Sequence, residues 1–219
     1  MYGYPMNKFS FRTPSSSVIE VLGEGALQAP PDQALIVLGA VSEGPVLQTV
    51  QSENAGRVTN IIQALQQLQI PQQKIQTSDY RIEAQYDYPE GQSVFRGYKM
   101  THLLQISTGK VEQTGAIVDT AVAHGANIVT GIRFTLAHSE RYSNEALSLA
   151  VRDARRKAAA LARALGVSLA AVPGKVQELS RSIEPLFYQA PMLAESAATP
   201  IQPGELTVRA SVRVWYSFA

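Results

Sequence analysis

The sequence predicts an α+β fold, an antiparallel sheet with three helices packed on it, in the order ββ-α-ββ-α-β-α-β-β. Three observations carry this expectation. Three stretches repeat apolar residues at helical spacing, each with a polar opposite side. Strand-type segments outnumber them and come in adjacent pairs, which favours antiparallel sheet over a βαβ series. No linker divides the 219 residues before position 183, so residues 18–219 are expected to form a single domain.

The longest helical stretch, Ser139 to Gly166, organises the chain. Ala146, Ala150, Ala154, Ala158, Leu161 and Leu165 form its apolar stripe, widened by Leu147 and Val151. Arg152, Arg155, Arg156 and Arg163 fall opposite, as a solvated face. A stripe of alanine lets a helix lie close to a flat partner such as a sheet. Ser139 suits the N-cap, and Gly166 the left-handed C-terminal position, with Val167 folding back on Leu161 or Ala162.

In chain order, residues 1–17 read as a flexible N-terminal arm. Val18 to Gln28 and Gln33 to Ser42 read as strands. The turn Ala29-Pro30-Pro31-Asp32 between them suggests a hairpin. Gly23-x-Gly25 lacks a third glycine and opens no helix, so close strand packing or a bulge accounts for it better than a phosphate cradle. Leu47 to Gln69 is a helix buried through Val50, Val58, Ile61, Ile62, Leu65 and Leu68 and stopped by Pro71.

Lys74 to Tyr88 and Phe95 to Thr108 make a second hairpin around Pro89-Glu90-Gly91. Tyr80, Ile82, Ala84, Tyr86 and Tyr88 share one face of the first arm; Tyr98, Met100, His102, Leu104 and Ile106 share one of the second. Each arm is about 14 residues, against a usual five or six. Such a hairpin is expected to bend or to reach beyond its own core. Lys110 to His124 is a helix with Val111, Ile117, Val118, Ala121 and Val122 inward and Gly125 as its cap. Ala126 to Leu136 is a strand, Leu169 to Ser180 another, and Glu205 to Phe218 the last, with Leu206, Val208, Ala210, Val212, Val214 and Tyr216 on one face.

Residues 183–204 break the pattern. Pro185, Pro191, Pro200 and Pro203 oppose regular structure, and so long a loop is usually mobile or used for binding; a contact with another subunit or ligand and a loop folded on its own surface are both open. Its apolar residues Leu186, Phe187, Tyr188, Met192 and Leu193 are the candidate oligomer contact.

Little here points to chemistry. Cysteine is absent, which excludes disulfides, thiolate catalysis and cysteine-based zinc sites. A formal charge of +1 gives no field for nucleic acid. His102, His124 and His138 lack the close spacing of a helical metal pair, so no metal, catalytic or cofactor-binding residue is assigned. Asp32 reads as a turn residue, and Asp153 and Lys157 as a helical ion pair. No apolar run is long enough for an integral membrane segment. The opening residues carry no basic start followed by an apolar run. That points to the cytoplasm as written, or to a periplasmic or secreted protein whose export signal was removed.

Several segments together resemble the SIMPL-domain family, whose bacterial members include periplasmic immunogenic and oxidative-stress-defence proteins. They are residues 23–44, 75–88, 97–108, 115–136, 150–167 and the closing strand from Gly204 to Tyr216, in the family's order. Where the family usually ends its first helix in Leu-Gly-Ile, this chain has Leu68-Gln69-Ile70. The resemblance implies an α+β fold and a tendency to homo-oligomerise, in some members as ring- or channel-like assemblies. It implies no established catalytic residue and no cofactor. The expectation is a non-enzymatic, self-assembling protein with an envelope or stress-defence role. An adaptor for a heterologous protein partner and a small-molecule-binding or hydrolytic domain stand as rivals.

Overall fold

The computed structural model describes residues 17–186 and 199–219. Among them, three α-helices and two sheets follow the expected element order. The strands are β1 (Val18–Ala29), β2 (Gln33–Gly44), β3 (Ile75–Asp87), β4 (Val94–Thr108), β5 (Ile128–Thr135), β6 (Lys175–Leu186) and β7 (Glu205–Ser217). The helices are α1 (Leu47–Gln67), α2 (Thr114–Ala123) and α3 (Ser139–Leu165).

The strands are shared between a three-stranded sheet, β1-β7-β6, and a four-stranded one, β3-β4-β2-β5. The chain divides into two compact units accordingly. One comprises residues 17–27, Ser143–Ser182 and Val208–Ala219; the other comprises Gln28–Tyr142 and the described residues of Ile183–Thr207.

In the first unit α3 covers the three-stranded sheet. Its buried stripe is Ser143, Ala146, Ala150, Ala154, Ala158 and Ala162, of which the last four pack with Ile19 and Val21 of β1 and Val212, Val214 and Tyr216 of β7. The stripe runs on through Ala162, so Leu161 and Leu165, expected inside, are 45% and 62% exposed. The small residues allow a very close approach. A Cβ on Gly23 would stand 2.1 Å from the Ala150 carbonyl oxygen, and one on Gly25 2.0 Å from that of Ala146. Close helix–strand packing therefore explains the glycine pair.

The second unit packs α1 and α2 on one face of the four-stranded sheet. Ile36, Leu38 and Ala40 of β2 and Leu104 and Ile106 of β4 meet Val58, Ile61 and Leu65 of α1 and Ile117, Val118 and Ala121 of α2. Val122 lies outside this set, 51% exposed: it is one residue round the helix from Ala121. Asn54 of α1 is fully buried; its Nδ2 donates to the Ala40 carbonyl at 3.0 Å, with Ser42 Oγ at 3.4 Å. The Thr199 N–H and hydroxyl both donate to the Asp119 carboxylate of α2, and Ile201 packs on the same core.

All three helices end in one motif. The N–H of Ile70 bonds to the Leu65 carbonyl, that of Ala126 to Ala121 and that of Val167 to Ala162. Each bond spans a residue with positive φ: Gln69 (64°), Gly125 (114°) and Gly166 (70°). This is a Schellman ending, and the two residues bonded in each case share one hydrophobic cluster.

Two further sequence expectations are corrected. First, β1 and β2 form no hairpin, since they belong to different sheets. The turn at Pro30-Pro31 leads from one to the other, and Asp32 anchors it by accepting the Ala137 N–H at 2.6 Å. Second, β6 starts after Gly174 and runs to Leu186, into the stretch read as loop. Pro185 is tolerated because β6 is an edge strand, where a missing N–H costs the ladder nothing. Leu169 makes only an isolated bridge to Phe218.

Candidate functional site

The β3–β4 hairpin is the feature the core does not account for. β3 lies at the edge of its sheet, and none of its residues is buried. Tyr80, Ile82 and Tyr86 share one face, as their alternation predicts, and are 48%, 38% and 49% exposed. Tyr88, Val94 and Phe95 at the tip are 69%, 49% and 45% exposed. The alternation is legible in sequence; its exposure is not, because it follows from the place of β3 at the edge of the sheet.

Two irregularities shape the hairpin. The register shifts between Thr77 and Asp79, leaving Ser78 bulged, and again opposite Gln85 and Tyr86, leaving Arg96 bulged. Gly97 beside the second bulge has φ 152°, and a Cβ there would approach the Gly44 carbonyl oxygen to 2.6 Å. Glycine is thus required where the hairpin bends. Beyond the bend, Phe95 sits edge-on to Tyr86 at 5.7 Å and to Tyr98 at 5.2 Å between ring centroids. These rings form an exposed aromatic cluster.

Further in, His102 meets Tyr80 edge-on at 5.1 Å and shares a hydrogen bond with Thr77 Oγ1 at 3.1 Å. Partial burial lowers its pKa, which favours the neutral ring. Gln51 of α1 reaches the Tyr80 hydroxyl at 3.4 Å. Ion pairs line the polar side: Asp79 with Arg81 at 2.9 Å, and Glu43 with Lys99 at 3.4 Å. A free strand edge with exposed aromatics and scattered charge can pair with another polypeptide.

Among the described residues the three histidines stand apart from one another. His124 caps α2 by donating its Nδ1–H to the Thr120 carbonyl at 2.8 Å. His138 is exposed before α3. Among the described residues no group of three or more His, Asp or Glu side chains could hold a metal ion. Asp153 makes the expected pair with Lys157, at 2.7 Å. The Lys157 ammonium and the Glu24 N–H hold its carboxyl at about 2, well below the usual range. Of the candidate oligomer contact, Phe187, Tyr188, Met192 and Leu193 lie outside the described residues, and Leu186 is the last residue of β6.

The model of the SIMPL family, described as a protein of unknown function (DUF541), matches residues 19–216. The chain belongs to the SIMPL family. It is similar to the 26 kDa periplasmic immunogenic protein of Brucella melitensis biotype 1, at 28% identity over 207 residues, covering 90% of this chain and 82% of that protein. It is also similar to the uncharacterized protein YggE of Escherichia coli K12, at 22% identity over 202 residues, covering 91% and 80%. YggE of Edwardsiella ictaluri is 23% identical over 160 residues, covering 73% and 67%. SIMPL membership agrees with the resemblance read from the ordered segments. The family description assigns no catalytic activity. No helix among the described residues is long and apolar enough to cross a membrane.

Proposed function

We propose that this SIMPL protein is a non-enzymatic, self-assembling component of the bacterial envelope, active in stress defence as a ring- or channel-like homo-oligomer. The observation that carries the reading is the β3–β4 hairpin: an edge strand with no neighbour on its outer side among the described residues, whose exposed face is Tyr80, Ile82 and Tyr86, ending in the cluster with Phe95 and Tyr98. Edge strands of soluble proteins are usually short, charged or covered. A strand of 13 residues with large apolar side chains exposed is suited to pairing with a second copy. The segment Leu186 to Leu193 supplies further apolar contact in the same reading. A periplasmic location draws support from the name of the Brucella relative.

Native mass measurement of the full chain at micromolar concentration tests the assembly. The expected result is a discrete particle of several copies that loses mass on Ile82→Lys with Tyr86→Ser. Removing residues 187–198 is expected to lower the particle mass while leaving the circular dichroism spectrum intact. A strict monomer across this concentration range removes the reading. Should such a monomer capture a heterologous protein at fixed stoichiometry, the adaptor reading takes its place.

A further inference from the structure

The face of the four-stranded sheet turned away from α1 and α2 carries two neighbouring clefts of about 280 and 230 Å³. Leu35 and Gln105 line both, so the two form one groove. Strand registers arrange its floor in two rows. Arg133 of β5 pairs with Leu35 of β2, and Leu35 with Ser107 of β4. Lys74 precedes Ile75, which pairs with Ile106, so Lys74 stands level with Ser107 at the end of that row. The second row runs Gly131, Val37, Gln105, Gln76. The register shift between Val37 and Leu38 falls opposite Thr130, which lines the wider cleft.

The chemistry of this groove is one-sided. Its two charged residues, Lys74 and Arg133, are both cations at opposite ends of one row, and no carboxylate lines either cleft. Neither has an ion-pair partner among the described residues, and both are exposed. Between them lie the half-buried side chains of Leu35 and Val37, flanked by the amides of Gln76 and Gln105. The row crosses three strand spacings, roughly 14 Å between the outer backbones.

We infer that this groove binds an elongated organic dianion, an α,ω-dicarboxylate with an apolar spacer. One carboxylate pairs with the Arg133 guanidinium, which can grip both oxygens, and the other with the Lys74 ammonium. The spacer lies over Leu35 and Val37. Two cations held apart on a rigid sheet reward two anions at matching separation, because the second contact is made without a further loss of translational freedom. The groove reaches β3 only at its start, through Gln76 and the preceding Lys74, apart from Tyr80, Ile82 and Tyr86, and does not depend on self-assembly.

Titration of the ¹⁵N-labelled full chain with octanedioate, octanoate and 1,8-octanediol tests the inference. Octanedioate is expected to shift the amides of Gln76, Gln105, Ser107 and Gly131 saturably, with at least tenfold higher affinity than octanoate and no response to the diol. Lys74→Gln and Arg133→Gln should each reduce octanedioate to the affinity of octanoate. A Cβ on Gly131 meets no atom within 4 Å, so Gly131→Val should fold normally and plug the groove. Equal affinity for diacid and monoacid, shifts confined to other residues, or unaltered binding in Gly131→Val would each overturn the proposal.

Discussion

The carboxylate of Asp153 in α3 accepts the backbone N–H of Glu24 in β1, at 3.1 Å. Lys157, one helical turn further on, bonds to the same carboxylate at 2.7 Å and donates to the Leu22 carbonyl at 2.9 Å. Leu22 and Glu24 belong to the edge strand β1, which has β7 on one side and no described strand on the other. The ion pair therefore does more than tie one helical turn to the next. It occupies two hydrogen-bonding groups of a sheet edge, the Glu24 N–H and the Leu22 carbonyl, and so hinders another strand from pairing there.

Asp153→Asn should destabilise the protein by roughly 1–2 kcal/mol, the cost of weakening a charge-assisted hydrogen bond to a backbone donor. The pH dependence follows from the depressed pKa. Asp153 falls from 3.8 to about 2 on folding, so its contribution is fully present above about pH 4 and is lost as pH drops towards 2. Chemical denaturation across that window should show a shallower loss of stability in the Asn variant than in the parent.

Gly23→Ala and Gly25→Ala should each cost about 1–3 kcal/mol through overpacking. The added carbon meets helix backbone, the carbonyl oxygens of Ala150 and Ala146, which no side-chain rotation can move aside. Urea unfolding measures the loss. Trimming the facing alanine, Ala154→Gly, should not restore Gly23→Ala, because that clash is with a carbonyl.

Gln69→Gly should stabilise the protein by roughly 0.5–1 kcal/mol. A side chain at φ 64° costs about 1–2 kcal/mol, part of which is offset by the greater freedom of glycine in the unfolded chain. Gly166→Ala, at φ 70°, should shift stability in the opposite direction by a similar amount. Thermal melts of the two variants against the parent provide the comparison.

Asn54→Ala should cost about 2–3 kcal/mol, and Asn54→Asp more. The alanine variant loses the bonds to Ala40 and Ser42 and leaves a void. The aspartate would turn a buried carboxylate towards carbonyl oxygens that can only accept. Denaturant midpoints should therefore order the three proteins Asn, Ala, Asp.

These sites differ in how far sequence alone reveals them. Gly125 and Gly166 mark two helix endings directly, because glycine is the residue the left-handed position favours. The third ending is hidden by Gln69, and only the family's Leu-Gly-Ile pattern hints at the same geometry there. Asn54 was not singled out, since a polar residue in a helix reads as surface until its partners on neighbouring strands are known. The element order was legible from periodicity. Strand pairing was not: Val18–Ala29 and Gln33–Gly44 look like hairpin arms, and nothing local to them records that β1 finds its neighbour in β7. Pro185 was misleading for a related reason, since whether proline ends a strand depends on which side of the sheet is free. The aromatic face of β3 is legible from alternation, but its exposure comes from the edge position of that strand. The cation pair Lys74 and Arg133 was missed altogether, because cross-strand rows join residues about 60 positions apart.

The bond from Trp215 to Glu20 joins residues 195 positions apart. Synthesis runs from the N-terminus, so β1 emerges well before its neighbour β7, with the other described elements made between them. The strands of the four-stranded sheet are all complete by Thr135, early enough to assemble while synthesis continues. The other sheet closes only after β7, ending at Ser217, has been released. In the meantime β1 is an extended, partly apolar segment without its mate, the state in which a nascent protein most needs a holding chaperone.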